Sequence, residues 1–184
     1  MSEEPQPAAD QKLDQALVGS LFIWLGLTIG LTIMAIMIVI VQAFTLDGPL
    51  LDSPEIGYAF LLVVPLGLFG AFFVAPKLTK DPAEVIRRSR SNDPTAFAAW
   101  EGTTEADPYY WLPAFMGEFF VKVGLLEGPG VICVVAFLLT GEWVVLAGAG
   151  VMLAALISQM PTRAKFDAWA ANARDRRASA DPSE

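Results

Sequence analysis

Residues 17–44 read LVGSLFIWLGLTIGLTIMAIMIVIVQAF, the centre of a 32-residue interval between Asp14 and Asp47 that holds no formal charge. A bilayer-spanning helix needs about 20 predominantly apolar residues, so this interval predicts a complete transmembrane helix over about 17–44. The acidic N-terminus, the length of the apolar run and the lack of a small-residue cleavage site behind it argue against a cleaved signal peptide.

Two more charge-poor intervals follow the same logic. Residues 56–76, between Glu55 and Lys77, give a second span over about 57–76 with Pro65 near its middle, where a kink is expected. Residues 143–162, between Glu142 and Arg163, give another of minimal length over about 143–160. The stretch WLPAFMGEFFVKVGLLEGPGVICVVAFLLTG, residues 111–141, is apolar except for Glu118, Lys122 and Glu127. It predicts a long helix over 112–140 whose charged first third lies at the interface and whose last ~20 residues lie in lipid. Only Thr140, Gly141 and Glu142 separate it from the next span, which sets a tight helical hairpin.

Composition agrees with this reading. The chain of 184 residues is 54% hydrophobic and 17% charged, with a mean hydropathy of +0.50. Soluble domains carry about 25% charged residues. There is no His and a single Cys, Cys133, so an intramolecular disulfide, a zinc framework and any His-based catalytic site are excluded. The expectation is an all-α integral membrane four-helix bundle with short cytoplasmic interfacial helices. It is expected to be no enzyme and to have no catalytic residues, metal site, cofactor or nucleic-acid partner.

Eleven of the 12 basic residues lie before the first span, in the 77–111 connection or after residue 162. The opposite loops hold only acidic charge, so the positive-inside rule puts both termini and loop 77–111 in the cytoplasm. Residues 1–14 and 178–184 are read as polar, disordered tails. Within the loop, Asp-Pro starts precede Val85 and Ile86, then Phe97 and Trp100, predicting two short interfacial helices. The segment 161–177 predicts a third, with Phe166 and Trp169 as interfacial anchors on its apolar face.

Several residues are candidates for function or assembly. Glu127 lies deep in the third span, where ionisable groups serve proton or cation pathways by default, and the alternative is a structural Glu near the headgroups. Pro129 just after it predicts irregular backbone able to offer a carbonyl to a cation. Glu118 and Lys122 have the i, i+4 order of a favourable helix ion pair. Gly26 with Gly30, and Gly124 with Gly128, form small-xxx-small faces expected to pack helices within the bundle. The expected partners are membrane lipid and a protein partner or a second copy.

GLLEGPGVICVVAFLLTG, followed by a span ending MPTRAKFDAW, resembles the second half of small bacterial four-span membrane proteins of unknown function with an ALxEG-like motif. Glu127 and Gly128 match the Glu-Gly pair, Phe137, Leu138, Leu139 and Gly141 the helix end, and Pro161, Thr162 and Trp169 the exit. This resemblance implies a bacterial inner-membrane protein. More distantly, an intramembrane Glu before a hydrophobic helix end is similar to the proteolipid c or K subunits of rotary ATPases. The chain departs from those in its polar tails and long charged loop. Cysteine accessibility or reporter fusions at residues 5, 90 and 180 are expected to report cytoplasm and one at residue 50 the exterior; an exterior C-terminus would overturn the four-span order.

Overall fold

The computed structural model describes residues 6–44, 48–51, 53–78 and 108–180. Every regular element among them is helical: α1 (Gln6–Phe44), α2 (Pro54–Leu61), α3 (Val63–Phe69), a π-helical turn (Gly70–Val74), α4 (Ala75–Leu78), a 3-10 turn (Pro108–Trp111), α5 (Leu112–Thr140), α6 (Trp143–Ser158) and α7 (Arg163–Ala180). Three stretches are long and apolar enough to cross a membrane: Asp10–Phe44, Glu55–Leu78 and Leu112–Thr140. The 16 residues of α6 are apolar but short, and with α7 they make a pair bent by 77°. The expected interfacial helices around Val85, Ile86, Phe97 and Trp100 lie outside the described residues.

The chain divides into two compact units. One comprises Met1–Phe22, Lys77–Phe119 and Pro161–Glu184, the other Ile23–Pro76 and Phe120–Met160. The first is built on a cluster of Leu13, Leu17, Trp111, Leu112, Phe115, Phe166, Ala170 and Ala173. Leu13 and Leu17 stand one turn apart on α1, and Phe166, Ala170 and Ala173 follow the i, i+4, i+7 stripe of α7. This corrects the reading of residues 1–14 as a disordered tail, since α1 already begins at Gln6. Its first turns are polar in composition and owe their order to tertiary contacts, which no local pattern announces.

In the second unit the apolar helices touch through small residues. A Cβ built on Gly130 of α5 would lie 2.9 Å from the Leu31 side chain of α1. One on Gly148 of α6 would meet Leu61 of α2, Val64 of α3 and the sulfur of Cys133 in α5, which is buried. The closest approach is at Gly67 of α3. A Cβ there would fall 2.6 Å from Pro129 Cγ, 2.8 Å from the Leu125 carbonyl oxygen and 3.0 Å from Met152 Cε. Pro129 has no N–H to offer the carbonyl four residues back, which is Leu125, so that oxygen is freed and rests against the bare Cα of Gly67.

Prolines explain the breaks in the second apolar stretch. Pro65 lacks the donor that Leu61 O would accept, and the helix is interrupted at Leu62, whose N–H turns to Ala59 O at 3.2 Å. The π-helical turn Gly70–Val74 precedes Pro76, where a widened turn relieves the ring's conflict with the carbonyl four residues back. The α5–α6 hairpin closes on Gly141, which has φ +68° and whose N–H bonds Phe137 O at 2.8 Å. That left-handed position suits glycine and ends α5.

Three threonines along the spans are satisfied inside their own helices, whereas Gln42 Oε1 of α1 is buried with no hydrogen-bond partner among the described residues. Thr28, Thr32 and Thr140 hydroxyls donate to the carbonyls of Trp24, Thr28 and Ala136 at 2.8, 2.8 and 2.9 Å. Trp24 Nε1 donates across to Leu156 O at 2.8 Å, one of the last carbonyls of α6, which also accepts from the capping Gln159 N–H at 3.0 Å.

Gly67→Leu is expected to lower the melting midpoint of the purified protein in detergent, at a cost of ~1–3 kcal/mol for an overpacked contact. Gly150→Ala, where nothing lies within 4 Å, is expected to leave it unchanged or slightly raised. Equal melting of wild type and Gly67→Leu would remove the close contact from the account.

Candidate functional site

The polar centre of the first unit is built by α7. Thr162 caps it, with its hydroxyl accepting from Lys165 N–H at 3.3 Å and its carbonyl from Phe166 N–H at 3.0 Å. The cap aims the first turn so that Arg163 faces α1. Its guanidinium donates to Asp10 at 2.9 Å, Asp14 at 3.0 Å and Asp167 at 3.2 Å. The carboxylate of Asp10 above all, with Asp14 and Asp167, holds the Arg163 guanidinium well above its ordinary range against a smaller opposing effect of burial. The ion pairs are substantially exposed, so each contributes little on its own; the geometry fixes direction more than energy.

Sequence reasoning missed this clamp. The available signal was the spacing: Asp10 and Asp14 are four apart beside Leu13 and Leu17, and Arg163 and Asp167 are four apart on α7.

Beside the clamp, Phe166 is fully buried, with Phe115 edge-on to it at 5.3 Å between ring centroids. Phe115 meets Trp169 likewise at 5.7 Å. Trp169 Nε1 donates to Glu118 Oε2 at 2.7 Å, and Glu118 is only 5% exposed. The expectation that Phe166 and Trp169 are interfacial anchors is corrected here. The aromatic face of α7 turns into protein, because α1 and the start of α5 offer it an apolar surface and a carboxylate. Glu118 and Lys122 stand one turn apart on α5.

In the second unit Glu127 is half-buried, near the middle of α5. Among the described residues none donates to it or pairs with its charge. A lone carboxylate at the centre of a span costs about 2.5–3.5 kcal/mol on the insertion scale. The Leu125 carbonyl freed by Pro129 lies against Gly67.

The glycine pairs also differ from expectation. Among the described residues a Cβ on Gly26, Gly30, Gly124 or Gly128 would meet nothing within 4 Å, so these faces pack no described helix of the chain. The helices instead meet at Gly67, Gly130 and Gly148, which sequence reasoning did not single out. A 3.6-residue pattern does not say which of several glycines faces inward. Between α1, α5 and α6 runs an apolar groove of about 360 Å³, lined by Leu31, Val39, Val134, Leu146, Gly150 and Leu153 among others. No group of three or more His, Cys, Asp or Glu side chains able to hold a metal occurs among the described residues.

Compared with protein-family models, curated proteins and solved structures, the chain matches none of them.

Trp169→Phe is expected to destabilise the docked α7 by ~1–3 kcal/mol, since it leaves a buried carboxylate without its indole donor. Limited trypsin digestion should show faster cleavage at Arg163 and Lys165, and faster still when Phe166 and Trp169 are both changed to Ser. Arg163→Met should cost less in 1 M salt than at low salt, because the exposed pairs it removes are screened there. Equal digestion of all variants would remove α7 docking from the account.

Proposed function

We propose that the chain is a four-span protein of the bacterial inner membrane, with both termini and loop 77–111 in the cytoplasm. It works without catalysis, as an interaction or accessory subunit that associates with other membrane proteins. The observation that carries this reading is the open pair of small-residue faces, Gly26/Gly30 on α1 and Gly124/Gly128 on α5, where an added Cβ would meet nothing within 4 Å among the described residues. Glycine inside a helix costs roughly 1 kcal/mol relative to Ala, and in lipid its use is to let another backbone come close. The same reading suits the resemblance to small bacterial four-span proteins with an ALxEG-like motif.

A second reading, a proton- or cation-handling oligomer, rests on Glu127 and its lack of a partner among the described residues.

The readings separate in vesicles and in the native membrane. Under the interaction reading, replacing Gly124 and Gly128, or Gly26 and Gly30, by Leu is expected to remove a cross-linked complex seen with wild type while leaving the melting midpoint in place. A wild-type chain that is monomeric in its native membrane would overturn that reading. Under the ion-handling reading, wild type labels with a carbodiimide and supports proton flux, and Glu127→Gln abolishes both with the fold intact. Absence of labelling and flux in wild type would retire it.

A further inference from the structure

Glu127 borders the open face of α5. It lies ~60° around the helix from Gly124, and Gly128 follows it directly. The exposed residues of this face in the second unit include Val121, Gly124, Gly128, Ile132 and Val135. The face is therefore apolar and low-walled, with one carboxylate at its edge and no donor or cation for that carboxylate among the described residues.

We infer that this face seats a transmembrane helix of another protein that carries a Lys or Arg at the bilayer depth of Glu127, the two charges pairing as the helices close over Gly124 and Gly128. The inference rests on the interaction reading and names the chemistry of the partner. Charge complementarity selects the occupant. Lipid tails fill an apolar face but leave the carboxylate unpaired, and water is scarce at that depth. A second copy of this chain is a poor match. Packed α5 to α5 in the same orientation, it brings a second Glu127 to the first, and like charges repel. Lys122 is the only basic residue in any of the four apolar spans, and it lies five residues, about 7.5 Å along the axis, from the level of Glu127. A cation at the right depth has to come from elsewhere. The glycines matter because they let the partner's backbone approach closely, shortening the distance the two side chains must span and excluding lipid between them.

The test uses the full chain in phosphatidylcholine vesicles at pH 7 with two dansyl-labelled synthetic transmembrane peptides, both Leu-Ala hosts without Trp. One carries a single Lys at its midpoint and the other Leu there. Energy transfer from the chain's tryptophans reads binding. The Lys peptide is expected to bind about tenfold more tightly than the Leu peptide. Glu127→Gln is expected to abolish the preference, and Glu127→Asp, which keeps the charge, to retain most of it. Gly124→Ile with Gly128→Ile should abolish it too, while Gly26→Ile with Gly30→Ile should not.

Equal binding of both peptides, or a preference that survives Glu127→Gln, overturns the inference while leaving the interaction reading in place. Binding of neither peptide by a chain that is also monomeric in its native membrane overturns both. Self-association that depends on Glu127 without any Lys preference overturns the inference in favour of a second copy. Proton flux through Glu127 in peptide-free vesicles overturns it in favour of an ion path.

Discussion

Inside a bilayer no water answers a backbone carbonyl, and the packing of the second unit follows from that constraint. Most carbonyls are satisfied within their own helix, and the exceptions are where the helices meet. At the end of α6, Leu156 O accepts from the capping N–H of Gln159 at 3.0 Å, and Trp24 of α1 supplies a second donor from another helix. Pro129 frees Leu125 O, and Gly67 of α3 brings a bare Cα against it. Leu139 O near the end of α5 receives the N–H of Leu51, from the segment before α2, at 2.8 Å. With no hydrophobic drive between helices already in lipid, such contacts and close packing decide which faces turn inward.

The two units treat ionisable groups in opposite ways. In the first, Arg163 holds three carboxylates and buried Glu118 accepts from an indole, so charge serves to hold one helix against the others. In the second, Glu127 has no such arrangement within the described chain. A fold that satisfies Glu118 so closely has the means to satisfy a carboxylate on the same helix. Among the described residues Glu127 has no such answer, and the proposed partner helix is the reading that supplies one.

Three apolar stretches, Asp10–Phe44, Glu55–Leu78 and Leu112–Thr140, were legible in the sequence because each is bounded by charges and long against the bilayer; α6, at 16 residues, is shorter than the span expected over 143–160. The hairpin turn at Gly141 was legible for the same reason, as a three-residue gap leaves no other geometry. What escaped notice depends on partners far away in sequence. The helical start at Gln6 depends on Arg163 and Phe166, about 150 residues on. The anchoring role expected of Phe166 and Trp169 was right about their shared face and wrong about what lies opposite it. The inward glycines, Gly67, Gly130 and Gly148, are marked by neighbours on other helices, whereas Gly124 and Gly128 carry the more familiar spacing and face outward. Glu127 stood out in sequence as an anomaly of depth. That no described residue pairs with it is visible only in the fold.

The bond from Arg163 to Asp10 joins residues 153 positions apart, so it also sets a timetable. A ribosome adding about 5–20 residues per second takes roughly 8–30 s to travel from one to the other. Throughout that interval Leu13 and Leu17 wait for part of their cover, which is complete only when Phe166, Ala170 and Ala173 have joined Trp111, Leu112 and Phe115. Completion of the first unit thus requires that synthesis has passed α7. A product truncated before α7 would emerge with its N-terminal apolar patch bare, in the form that chaperones and proteases recognise.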